Sequence, residues 1–147
     1  MIDTKWIGHR FPTMRWEVEK GRLRFFAKAI GETRPEYLDE AAARAAGHPA
    51  LPAPPTILFS GPLDNDDTPA MLDLLGIDMA NILHGEQQFT YHAPVYAGDV
   101  LEFEPRITDI VAKKGGALEL VTRETRVANQ RGELVAVMRN VVAVVNR

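Results

Sequence analysis

Few side chains in this sequence are placed to do chemistry, so each can be weighed in turn. The imidazoles are His9, His48, His84 and His92. No two stand at the spacing of helical metal ligands, and none has an acidic and histidine partner at a metal-site interval, so a metal centre has no support. His9 is expected on the surface near the N-terminus. His48 lies in a proline-rich loop, where it either lines a mouth or sits on the surface. His84 precedes Gly85 and Glu86 at the start of a strand. It is a candidate general base, or else a hydrogen-bonded structural histidine. Ser60 is the sole serine, and Phe59-Ser60-Gly61 lacks the G-x-S-x-G elbow of a serine hydrolase. Cysteine is absent, which excludes a thiolate metal site, a disulfide framework and a cysteine nucleophile. The glycines are scattered, with no phosphate-cradling pattern after a strand. More informative is the run from Phe26 through Gly31-Glu32-Thr33-Arg34-Pro35-Glu36-Tyr37. Taken bare, it is a helix, a cap and a turn into a second helix, with Glu32 and Glu36 solvated and Tyr37 packing.

The elements that would position these groups follow from periodicity. Leu23, Phe26, Ala27 and Ile30 recur at the spacing of one buried helical stripe, predicting a helix over 18–30 capped at Gly31 and stopped by Pro35. A short helix is expected over 39–46, with Asp39 as its cap. Residues 48–56 hold prolines at 49, 52, 54 and 55 and form a stiff, extended loop. Residues 56–61 begin a further helix whose end is obscured by Gly61-Pro62, and Pro69 marks another helix start. The second half predicts strands over 83–91, 99–111, 117–128 and 133–145. Turn signals at 113–116 and 129–132 make the last three an antiparallel meander. Val141 to Val145 are apolar on both faces, which suits an interior strand. The expected fold is α+β, one domain over 1–147, with a sheet wrapped around a helix.

Length and composition set outer limits. The chain has 147 residues, 46% hydrophobic and 25% charged, with a formal charge of −3. No basic excess points to nucleic acid. No apolar run is long enough for a signal peptide or a membrane span, so a cytoplasmic location is the default expectation.

In order and spacing, a set of short motifs resembles the MaoC-like hydratase/dehydratase family, in its N-terminal dehydratase-domain branch. They are Phe26-Ala-x-Ala-Ile-Gly31-Glu32 with Pro35 and Tyr37, Asp39-x-x-Ala-Ala43, Ala53-Pro-Pro-Thr56, Leu83-His-Gly-Glu-Gln-x-Phe89, Tyr91-His-Ala-Pro94 and Ala97-Gly-Asp-Val100. Nearly the whole chain is covered. The resemblance implies a hot-dog fold, a curved antiparallel sheet around a central helix, paired as a homodimer, a heterodimer or a tandem. It implies enoyl or 3-hydroxyacyl thioesters of coenzyme A or acyl carrier protein as substrates. Water is added or removed across the 2,3 bond in the (R) sense, without a cofactor.

Catalytic members of the family carry an aspartate and a histidine in Gly-Asp-x-Asn-Pro-x-His, which hold the attacking water. A backbone N–H at a helix start polarises the thioester carbonyl. Here Glu32 stands at the aspartate position, Arg34 at the asparagine and Tyr37 at the histidine. Tyrosine, with an ordinary pKa of about 10, is a donor at neutral pH and not a ready base. A geometric error near 1 Å costs roughly 10²-fold in rate, and a lost base about 10²–10⁴. The favoured expectation is a subunit with a degenerate dyad that helps bind an acyl thioester and pairs with a catalytic hot dog. Two alternatives stand beside it: a self-sufficient homodimeric enoyl-CoA hydratase using Glu32 or His84, and a non-catalytic acyl-thioester-binding protein. By the same resemblance Thr56 stands near the oxyanion amide, with Pro55 and Ser60 beside it. Tyr91, His92 and Pro94 shape the pocket rim or the dimer edge, Gly98 sets a bend, and Arg34 either meets a coenzyme A phosphate or stands exposed.

Overall fold

The computed structural model describes residues 1–146. Strand β1 (Met14–Glu17) leads into helix α1 (Lys20–Ala29). A 3-10 turn at Pro35–Tyr37 and helix α2 (Glu40–Ala45) precede the proline loop. Then comes a helical run of three pieces: a 3-10 stretch at Pro55–Phe59, α3 (Ser60–Asp64) and α4 (Asp67–Leu75). Strands β2 (Ile82–Tyr91), β3 (Val100–Lys113), β4 (Leu118–Ala128) and β5 (Leu134–Val145) complete the chain. The sheet is antiparallel, in the order β1-β3-β4-β5-β2. This is the expected α+β hot-dog architecture, a curved sheet with helices packed on it. The meander β3-β4-β5 stands as expected, and β5 is interior, between β4 and β2.

Two elements differ from the expectation set by periodicity. The expectation did not include β1, a four-residue edge strand with one buried side chain, Trp16. It also placed Ile30 on a buried stripe. Helix α1 buries only Leu23 and Ala27, and Ile30 is 53% exposed because the helix ends at Ala29 and turns away through Gly31 at φ +74°. Asp39 caps α2 as predicted, its carboxylate accepting from the Ala42 N–H at 2.9 Å.

The run from Pro55 to Leu75 is what the sheet closes around. Pro62 falls in the first turn of α3, where its missing N–H is not needed. Gly61 lets α3 lie directly against Phe103, because a Cβ there would collide with the ring. The run breaks at Asp66, whose φ of 53° is left-handed. Its Ile57 and Leu58 join Leu23, Leu51, Phe103 and Val135 in one apolar cluster, and its Met71 and Leu72 join Ile107, Val121 and Val142 in a second. Each fully buried Leu, Ile or Phe contributes about 1.5–3 kcal/mol. The ends of the chain meet on one buried carboxylate. Glu119, 2% exposed, accepts from the Ile2 N–H and from Asn146 Nδ2, both at 2.7 Å.

Candidate functional site

A cavity of about 260 Å³ opens between the proline loop and the end of β2. Tyr37, His48, Pro55, Leu58, Tyr91 and Val95 are among its walls. The prolines hold the loop extended so that Pro52 bridges Tyr96, and the Ala53 N–H bonds the Val95 carbonyl at 2.8 Å. Tyr91 stacks on Phe89 with centroids 5.8 Å apart and planes at 3°. Burial pushes its phenol pKa up, so at neutral pH it is a hydrogen-bond donor. His48 Nδ1 and the Tyr96 hydroxyl share a hydrogen bond at 3.3 Å. His48 takes the mouth-lining position, one of the two that its place in the proline loop left open, whereas Leu58 and Val95 lie outside the expected site residues. Position in the proline loop was the one signal available for His48.

The dyad positions are not equivalent. Tyr37 reaches the cavity wall, but Glu32 does not line it. The Glu32 carboxylate turns back on its own loop. It accepts Arg34 Nε at 3.1 Å and Nη2 at 2.7 Å, and the Thr33 and Arg34 backbone N–H groups at 3.0 Å each. The Arg34 side-chain bonds, then its backbone N–H, hold the Glu32 carboxyl down at about 2, and the same ion pair raises the Arg34 pKa. The Arg34 guanidinium lies 4.7 Å from the Tyr37 ring centroid. Glu32, Arg34 and Tyr37 thus form one stack. A carboxylate so fully engaged is a poor proton acceptor at neutral pH.

The other predicted positions scatter. Pro55 lines the cavity, whereas Thr56 is exposed on the adjacent turn and Ser60 is half-buried at the start of α3. The backbone at Thr56 is a 3-10 turn, with the α-helix beginning later, at Ser60. His92 is exposed, and its N–H bonds the Val135 carbonyl at 2.9 Å. Gly98, at φ +94°, lies in a separate open depression beside Glu17, Lys20 and Glu40. There Asp99 fixes the loop by accepting from the Tyr96 N–H at 2.9 Å and Gln130 Nε2 at 3.0 Å. His9 is half-buried between Trp6 and Phe11, contrary to the expected surface position.

His84 belongs to a second, smaller cavity of about 80 Å³ between β2, β4, β5 and the helical run. Its ring meets Phe59 edge-on at 5.3 Å. Arg123 (2% exposed) and Asp67 (7%) form a buried ion pair in the wall at 2.6 Å. Breaking such a pair from one side costs about 3–5 kcal/mol. Among the described residues no cluster of His, Asp and Glu is arranged to hold a metal ion, and no helix is long and apolar enough to cross a membrane.

The FAS1-like, dehydratase domain region family matches residues 5–138. The chain belongs to this family. A "UPF0336 protein" of Streptomyces griseus is 36% identical over 135 residues, covering 91% of this chain and 89% of that protein. Among solved structures, the HadBC (3R-hydroxyacyl-ACP dehydratase) complex of Mycobacterium tuberculosis is similar. Its TM-score is 0.78 at 26% identity, covering 94% of this chain and 96% of that one. A MaoC-like dehydratase from Rhodospirillum rubrum has a TM-score of 0.66 at 26% identity, covering 96% and 93%. The MaoC-like resemblance read from the motifs is thereby confirmed, and with it the hot-dog dehydratase fold.

Proposed function

We propose that this dehydratase-family chain is the acyl-binding subunit of an (R)-specific enoyl-thioester hydratase or 3-hydroxyacyl-thioester dehydratase, paired with a second hot dog that supplies the Asp/His dyad. The observation that carries the reading is the state of Glu32. The carboxylate at the dyad position is consumed by Arg34 and two backbone N–H groups and does not line the cavity. Tyr37, at the other dyad position, meets the cavity as an aromatic wall and hydrogen-bond donor. The walls around it, Pro55, Leu58, Tyr91 and Val95, suit an acyl chain. The similar HadBC structure is itself a complex. Hydration adds water to a carbon–carbon double bond, so the proposed reaction uses no cofactor.

A self-sufficient hydratase has one observation in its favour: His48 shares the cavity with Tyr37 and hydrogen-bonds Tyr96. One assay separates the two readings. The purified chain is expected to show no hydration of a panel of enoyl-CoA esters followed by loss of enoyl absorbance. Turnover is expected when a dyad-bearing hot-dog partner is added, and Glu32→Ala should leave that turnover within about twofold, since only interactions made in the transition state change the rate. Robust turnover by the chain alone, lost in His48→Ala or Glu32→Ala, would overturn the subunit reading.

A further inference from the structure

One side chain of β2 stands between the two cavities. Gln87, Phe89 and Tyr91 share a face of the strand, alternating as its pleat requires. Gln87 lines the 80 Å³ cavity and Tyr91 the 260 Å³ cavity. Phe89, midway, lines neither, and the two cavities have no lining residue in common. The Phe89 ring stacks on Tyr91 of the large cavity, with centroids 5.8 Å apart and planes at 3°. In register with Phe89 on β5 is Met138, which lines the small cavity. The helical run changes cavity between neighbours, Leu58 lining the large one and Phe59 the small one. Leu58 and Met138 are both buried, and half-buried Phe89 packs against the apolar cluster that holds them.

A chain that enters between the proline loop and the end of β2 runs beside Tyr91 and meets the Phe89 ring stacked behind it. A ring packed into a dense core gives way little. We propose that Phe89 is a specificity-determining residue, which closes the acyl site towards the middle of the sheet and sets the longest chain the site holds. A methylene fills about the volume of a water molecule, about 30 Å³ in the liquid, so a 260 Å³ cavity holds roughly eight carbons. The substrate class is therefore a thioester of a short or medium straight acyl chain, since a longer one leaves its end in water. The inference rests on the acyl-binding reading above.

The test is calorimetric titration of the full chain with straight saturated acyl-CoA thioesters of even length, from butanoyl to dodecanoyl. Each methylene that enters the cavity should tighten binding about fourfold. The rise should run to octanoyl-CoA, and the carbons beyond it should add less than about twofold in all. Phe89→Ala should carry the rise on to dodecanoyl-CoA, because the space the ring leaves opens towards Gln87, about 7 Å further along β2. Phe89→Leu keeps an apolar side chain in the core and should carry the rise to decanoyl-CoA, so the proposal does not depend on the harsher variant folding. Affinity of the parent chain that climbs unbroken to dodecanoyl-CoA would overturn the stop while leaving acyl binding intact. So would a limit that stays at octanoyl-CoA in the Phe89 variants. No binding of a thioester of any length would overturn both the stop and the acyl-binding reading.

Discussion

Arg34 reassigns Glu32 from chemistry to structure. With its pKa held at about 2 against an ordinary 4.5, the carboxylate binds fewer protons in the folded chain than in the unfolded one. Its contribution to stability is therefore complete above the ordinary value and is lost as pH falls through about 2. Glu32→Gln should lower the melting temperature at neutral pH, and the difference from the parent should shrink on acidification from about 4.5 towards about 2. Melts monitored by circular dichroism across that range check this, and a gap that persists unchanged at the acid end would contradict it. The substitution of the dyad was legible in the sequence, since Glu32 and Tyr37 stand where the motif has aspartate and histidine. The direction of the Glu32 side chain was not. It depends on two backbone N–H groups whose orientation is set by the turn after Gly31, and a one-letter code carries no such geometry.

Helices in this chain are short, and their packing is local. The run from Pro55 to Leu75 works because Gly61 brings α3 against Phe103. Gly61→Ala should cost about 1–3 kcal/mol through overpacking, a fall of roughly 2–4 °C in melting temperature per kcal/mol for a domain of this size. Urea unfolding measures it, and a neutral result would mean that the ring moves freely aside. The sequence showed the start of this run and the later start at Pro69, but not how they join. The join is made by Asp66 in a left-handed conformation and by Asn65 Nδ2 donating to the Gly61 carbonyl at 2.8 Å. Asn and Asp tolerate the left-handed conformation and so mark a turn here, but residue type alone does not say which of Asn65, Asp66 and Asp67 adopts it. The strands of the meander were legible because each is long and separated by glycine-bearing turns. Four-residue β1 has no such signal.

The position of β2 in the whole molecule was not legible locally. Its partner β5 lies far along the chain, and nothing in residues 82–91 names it. The result is a ten-residue strand on a sheet edge, with Leu83 62% and Tyr91 46% exposed. Such an edge is a liability unless it is covered. In keeping with the proposed pairing, sedimentation velocity at micromolar concentration should show a dimer for the chain alone or a heterodimer with its partner. Leu83→Lys should weaken that association by about tenfold, and a monomer that ignores every partner would argue against pairing. Glu119 has an effect on the same scale. Because one carboxylate grips both Ile2 and Asn146, the two ends of the described chain are thermodynamically linked. Neither end can fray without loosening the other, so the first residues and the last strand open as a single unit, although more than a hundred residues of chain separate them.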